Sequence, residues 1–117
     1  MNLNVNITGV DELSKKIEGV SGQVALNNAD KITETYARKM ANESASSAPV
    51  DSGDLRASIV ASPRKLEQGV WEYGSELAYA KRQEYEHSTR KGFIRKSVWN
   101  NRTPYRNALR KEFTRWK

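Results

Sequence analysis

The feature that most constrains the fold is a helical apolar period between residues 23 and 47. Apolar residues recur there at steps of three and four: Leu26, Ala29, Ile32, Tyr36, Met40, Ala41 and Ala45. This spacing predicts one helix about 35 Å long. Pro49 is expected to end it, because proline donates no amide hydrogen and disfavours helical geometry at Ala48. The small alanine side chains indicate that another element can approach this face closely.

Two shorter patterns precede the long helix. Leu3, Val5 and Ile7 alternate with polar residues, which predicts a half-buried strand. Asp11 is then placed to cap a first helix, whose apolar face carries Leu13, Ile17 and Val20. A break is expected at residues 21–22, where serine is followed by glycine.

After Pro49 the sequence predicts a turn and then strands at residues 58–62 and 70–73. Residues 78–85 fit either a strand or a helical turn. Thr103 is expected to cap a last helix with Pro104 at its first position, and the apolar stripe of that helix is Tyr105, Leu109, Phe113 and Trp116. The expected fold is therefore α+β: a long helix in the N-terminal half, packed on a small and mainly antiparallel sheet, with a C-terminal helix. A length of 117 residues suits a single domain spanning residues 1–117.

Composition limits the chemistry. There is no cysteine, and the sole histidine, His87, lies in a charged stretch without a partner for nucleophilic catalysis. Asp51 and Asp54 suit helix capping better than metal binding, and the glycines do not form a phosphate-binding loop. We expect no catalytic, metal-binding or cofactor-binding residue and no cofactor. We expect no membrane partner either, because no apolar run approaches the roughly 20 residues that span a bilayer.

Charge is distributed unevenly along the chain. Residues 1–89 hold 10 Lys and Arg against 13 Asp and Glu, whereas residues 90–117 hold 10 Lys and Arg against Glu112 alone. This pattern predicts a basic surface that meets an acidic protein or DNA. The alternative is a solvated helix with no specific partner. The candidate surface comprises Arg90, Lys91, Arg95, Lys96, Arg102, Arg106, Arg110, Lys111 and Arg115, interleaved with aromatic residues.

The segment that follows the long helix, residues 48–59, reads APVDSGDLRASI. Its chemistry suits a helix-to-sheet corner: Asp51 is placed to cap a short turn, Gly53 permits a tight backbone path, and Arg56 stays available for a carboxylate. Leu55 and Ile59 are expected to return the chain to the core. The residues that define the corner are Ala48, Pro49, Val50, Asp51, Gly53, Leu55, Arg56 and Ile59.

This corner resembles the signature APVDTGxLRxSI of a family of small head–tail joining, or tail-completion, proteins of long-tailed phages. Three looser similarities follow, at residues 73–74, 77–86 and 103–109, and the resemblance covers roughly residues 10–117. Two departures stand out. Glu86 and His87 replace a glycine that is usual in the family, and the basic stretch 90–102 is longer than the family's loop.

The resemblance implies a virion protein of the phage neck, assembled in the host cytoplasm. Identical copies would form a ring, expected to be a hexamer, between the head-side connector and the tail proteins, with double-stranded DNA passing through it. The corner itself is expected to identify the family rather than to bind a partner. Two rivals remain from the residues alone: an independent DNA-binding protein that uses residues 90–117, and a toxin-like or nuclease module, which the missing acid–base residues disfavour.

Overall fold

The computed structural model describes residues 3–8, 19–49, 53–77, 80–86 and 91–115. The elements in these ranges are the strand β1 (Leu3–Ile7), the helices α1 (Gly19–Ser47) and α2 (Asp54–Ala61), the strands β2 (Arg64–Glu67) and β3 (Val70–Ser75), and the helices α3 (Ala80–Glu86) and α4 (Phe93–Arg115). The predicted α+β fold is confirmed: a long helix, a small antiparallel sheet and a C-terminal helix.

Helix α1 carries the predicted apolar face. Its buried side chains include the alanines at positions 25, 29, 37, 41 and 45, together with Met40. The helix begins at Gly19, so the break expected at residues 21–22 is wrong. A single glycine costs a helix only about 1 kcal/mol, which a helix of this length tolerates. The helix expected from Asp11 lies almost entirely outside the described residues.

Helix α4 packs antiparallel along α1, and buried polar contacts join the two helices. Asn28 donates to Glu112 at 2.8 Å at one end, and Ser97 donates to the carbonyl oxygen of Met40 at 2.9 Å near the other. Between them, the hydroxyls of Thr33 and Tyr105 lie 2.8 Å apart. The three contacts join different residue pairs along the helices, and all three form only in one register of α4 against α1.

The predicted start of α4 is wrong. The helix begins at Phe93, and Thr103 and Pro104 lie in its interior. Proline at the first position of a helix is common, which made Thr103 a plausible cap. In the structure both residues are exposed. The missing amide hydrogen of Pro104 leaves the carbonyl of Asn100 without its usual helical donor.

The sheet has the order β1-β3-β2, with both pairs antiparallel. The predicted strands at residues 3–7 and 70–73 are confirmed. The strand predicted at 58–62 is wrong, because these residues fall in α2 and the turn after it. Leu55 and Ile59 stand one helical turn apart and both are buried. Besides β1, the strand that pairs with β3 is β2, whose residues are all exposed and which therefore shows no apolar alternation.

The centre of the core lies where β3 meets α1. Tyr73 is fully buried there, and its hydroxyl lies 3.2 Å from that of Ser44. Burial raises the pKa of Tyr73 to about 12. Ser62 ties the end of α2 to the same strand, because its hydroxyl accepts a hydrogen bond from the amide of Gly74 at 2.9 Å.

Asp30 on α1 anchors the β2–β3 hairpin. Its carboxylate accepts from the Gly69 amide at 2.7 Å and from the Trp71 indole at 3.3 Å, and it pairs with Lys65 at 3.1 Å. Burial alone would raise the pKa of Asp30. The Gly69 hydrogen bond and the contacts with Lys65 and Trp71 outweigh burial and hold this pKa below 3.8.

The lowered pKa of Asp30 predicts how stability depends on pH. The charged form is favoured in the folded state, so its contribution is complete above the unfolded pKa near 3.8 and is lost as the pH falls through the folded value. We expect Asp30→Asn to lower the free energy of unfolding by about 1 kcal/mol at neutral pH. Urea denaturation should show this difference shrinking below about pH 4. A difference that stays constant into acid, or an equal effect of Glu76→Gln at an exposed position, would contradict the assignment.

The hydroxyl pair of Thr33 and Tyr105 predicts energetic coupling between α1 and α4. Thr33 donates to the carbonyl of Ala29 at 2.9 Å, so the proton between the two hydroxyls belongs to Tyr105. Thr33→Val and Tyr105→Phe should each cost about 1–2 kcal/mol, and the double variant should cost about 1 kcal/mol less than their sum. Chemical denaturation of the four proteins measures this coupling. Strictly additive losses would show that the hydroxyl contact contributes nothing.

Candidate functional site

The corner after α1 is built from buried side chains. Ala48, Leu55 and Ile59 are each at most 2 % exposed, and Pro49 is also buried. Val50 and Asp51 lie outside the described residues. Gly53 precedes α2 with a positive φ of 78°, a conformation that side-chain-bearing residues rarely adopt, and no side chain caps the helix from that position.

Arg56 has a partner different from the expected carboxylate. Its guanidinium donates to the carbonyl oxygen of Ala48 at 3.1 and 3.3 Å and to that of Ser46 at 3.2 Å. These carbonyls lie at the C-terminal end of α1, where the backbone has no helical donors left and carries partial negative charge. The Arg56 side chain therefore closes the end of α1 and holds α2 against it.

Glu84 on α3 caps the N-terminus of α4, as Arg56 caps the C-terminal end of α1. Its side chain is 1 % exposed, and the carboxylate accepts from the amides of Ile94 at 2.9 Å and Arg95 at 3.2 Å. The Glu84 carbonyl also accepts from the Gly92 amide at 2.6 Å. A carboxylate at this position satisfies free amide donors and complements the helix dipole. Sequence analysis missed this cap because Glu84 lies outside the helix it caps.

The predicted basic residues are largely exposed on α4 and just before it. Those whose side chains the structure describes are all exposed: Lys91, Arg95, Lys96, Arg102, Arg106, Arg110 and Lys111. Arg90 lies outside the described residues, and Arg115 belongs to α4 without a described side chain. The structure thus places most of the predicted set on the solvent side of a helix whose opposite side packs on α1.

Part of this set forms a narrower feature, which we call the arginine stripe: Arg95, Trp99, Arg102, Arg106 and Arg110. At 3.6 residues per turn these positions fall within a sector of about 80° and extend over about 22 Å of helix. Lys96 and Lys111 lie outside this sector. The side chain of Trp99 is the most solvent-exposed of the large apolar residues described, at 65 %.

Two aromatic rings of this region carry a guanidinium on one face. The Arg102 guanidinium lies 4.0 Å from the centre of the Trp99 ring, and that of Arg95 lies 5.0 Å from the centre of the Tyr85 ring. Arg95 also pairs with Glu84 at 3.2 Å. These contacts orient the two arginines, and both residues remain exposed.

Other kinds of site find little support. Within the described residues, no three His, Cys, Asp or Glu side chains form a group that could hold a metal ion. None of the described helices combines the length and apolar character needed to cross a membrane. A shallow groove of about 360 Å³ between α1 and α4 is lined by Asn42, Glu43, Ser46, Ser47 and Asn100. In it, Glu43 is already engaged by Asn101 at 2.6 Å.

Comparisons of the chain with models of protein families, with curated proteins and with solved structures gave no match.

The cap of α4 predicts a specific effect of Glu84. Replacing it with glutamine puts an amide donor where two or more N–H groups must be accepted, so Glu84→Gln should lower the free energy of unfolding by about 2–3 kcal/mol. Hydrogen exchange should accelerate first at the amides of Ile94 and Arg95. Glu67→Gln, at an exposed position of β2, serves as the matched control. Unchanged exchange at these two amides would show that the carboxylate does not cap the helix.

Proposed function

We propose that this chain is a structural, non-enzymatic virion subunit of a tailed phage. Identical copies form a ring, a hexamer, at the head–tail junction, joining the head-side connector to the tail proteins and letting the genome pass. A ring closes when each subunit offers one surface to the next and the rotation between neighbours completes a circle. The protein then works through its surfaces, and its basic face docks on a neighbouring component.

The single observation that carries the proposal is the arginine stripe. It is a long, exposed and one-signed surface, held on a helix whose other side is packed and aligned against α1. Such a surface suits recognition of an extended acidic partner. A reaction would instead need titratable groups gathered in a cleft, and the arginines are spread along a convex helix face.

The corner supports the family to which the proposal refers. Residues 48–59 resemble the head–tail joining signature, and their described members act structurally: Leu55 and Ile59 fill the core, and Arg56 closes α1. A motif made of such residues marks a scaffold rather than a binding site. This agrees with a protein whose activity is assembly.

The interior polar groups support the same interpretation. Every buried side-chain nitrogen or oxygen of the described residues has a hydrogen-bond partner. Glu84, Thr33 and Ser44 are fully buried or nearly so, and each holds two elements together. These groups are engaged in the fold itself.

A second candidate function is favoured by one observation. Among the described residues, no carboxylate forms an ion pair with Arg102, Arg106 or Arg110, so their charge is available to phosphate as well as to protein. An independent DNA-binding protein would use the same surface. Its binding would weaken steeply with salt, with a slope that reflects several released counterions.

Loss of the protein from the phage or prophage that encodes it tests the proposal. With a stop codon early in the gene, we expect filled heads and separate tails in electron micrographs and a drop in infectivity of several orders of magnitude, because the proposed joining subunit is missing. Supplying the intact chain from a plasmid should restore joined virions.

The same stop codon separates the candidates. Complete, infectious virions without the chain would refute a structural role. Joined virions with an altered DNA content or a defect in replication would favour the independent DNA-binding protein.

A further inference from the structure

The arginine stripe differs from a generally basic helix in how its charges are balanced. Glu112 is the one acidic residue of α4, and it is buried against Asn28 on the opposite side. Arg95 shares its charge with Glu84. Within the described part of the chain, Arg102, Arg106 and Arg110 have no such carboxylate. Three of the five stripe residues therefore form a row of guanidinium groups that no described carboxylate compensates.

The row has a regular spacing. Arg102, Arg106 and Arg110 follow one another at four-residue steps, so their Cα atoms advance by about 6 Å each along the helix axis. Carboxylates at four-residue steps on another helix advance by the same distance. Because guanidinium binds carboxylate through two parallel hydrogen bonds, a matching row of acids can pair with all three arginines.

The environment of Trp99 favours a protein over a nucleic acid as the partner of the stripe. The residue is 65 % exposed, yet the Arg102 guanidinium covers one face of the ring, 4.0 Å from its centre. The covered face cannot act as a platform for an unpaired base, and a phosphate backbone offers no apolar surface to the remaining part of the ring. Protein interfaces, in contrast, use Trp and Arg together as central anchors.

Tyr85 extends the same arrangement. It is 50 % exposed, with Arg95 at 5.0 Å from its ring centre. Tyr85 of α3 and Arg95 thus form an aromatic–arginine pair where the stripe begins, and the stripe continues with Trp99 and Arg102 and ends with Arg106 and Arg110. The apolar surface lies at one end and the uncompensated charge at the other.

We propose that the arginine stripe binds an acidic protein segment, with carboxylates set against Arg102, Arg106 and Arg110 and an apolar side chain packed on the free surface of Trp99. The inference rests on the proposed function for its choice of another junction protein as the partner. The chemistry of that partner follows from the stripe itself: a helix with acids at four-residue steps and an apolar residue beyond one end of the row.

Direct binding to the full chain tests the inference. The probe is a synthetic helical peptide with glutamates at three successive four-residue steps and one leucine a turn beyond them. A peptide of identical composition with the glutamates placed around the helix, and a mixed-sequence DNA duplex, are the comparison probes. Fluorescence anisotropy at physiological salt gives the affinity of each.

Two charge variants provide the matched pair. Arg102→Glu with Arg106→Glu alters the stripe, and Lys31→Glu with Lys39→Glu makes the same change in net charge at exposed positions of α1. We expect the stripe variant to lose at least about tenfold in affinity for the patterned peptide, and the α1 variant to lose less than about twofold. Trp99→Ala should weaken binding by about fivefold to tenfold. Circular dichroism of each variant is the control that its fold is retained.

The outcomes are distinct. Preference for the patterned peptide, lost in the stripe variant, supports the inference. Tighter binding to the duplex than to the peptide assigns the stripe to nucleic acid and overturns it. Equal binding of both peptides, equal losses in both charge variants, or no binding to any probe also overturns it. All of these binding measurements use the isolated chain. Their outcome is therefore independent of the stop-codon experiment that tests the proposed function.

Discussion

The packing of α4 along α1 is the interaction on which the rest of the structure depends. The buried face of α1 is made largely of alanines, so apolar contact alone would permit several alignments of α4 along it. The polar contacts remove that freedom, because sliding one helix by a turn would leave the buried hydroxyl of Tyr105 without its acceptor on Thr33, at a cost of about 1–3 kcal/mol. The helix ends are fixed as well: Arg56 caps the C-terminal end of α1, and Glu84 caps the N-terminus of α4. The solvent face of α4 therefore has a defined orientation relative to the sheet.

Sequence reasoning succeeded where a long period or a clean alternation exists. The face of α1 repeats over some seven turns, and β1 and β3 alternate or run apolar, so the α+β class followed. It failed where exposed apolar residues masked the period. Val60, 50 % exposed on α2, made Ile59 and its neighbours look like a strand, and Trp99 hid the first half of α4. Pro104, a residue common at the first position of helices, was then taken for the start of the helix.

The strand β2 was missed for a different reason: it carries almost no apolar signal. It is held by pairing with β3 and by the contacts of Arg64 with Glu72 and Lys65 with Asp30.

The candidate site shows a similar division. A net positive surface was predictable by counting charges in residues 90–117, and the structure exposes most of its members. The different roles of the individual arginines were not predictable, because these roles depend on tertiary contacts. Arg95 belongs partly to the cap at Glu84, and Arg102 is stacked on Trp99. Arg106 and Arg110 pair with no carboxylate of the described residues. Arg56, which looked available, is used inside the fold. Charged residues thus serve two purposes here, closing helix ends within the molecule and presenting an arginine row outside it.

A cryo-EM reconstruction of the head–tail junction tests the central claim most directly, because it shows both where the chain sits and what meets the stripe. We expect a ring of this chain between the connector and the tail, with α4 facing a protein density and acidic side chains opposite Arg102, Arg106 and Arg110. A junction without this chain, or a ring in which the stripe is exposed to solvent or to the DNA channel, would contradict it.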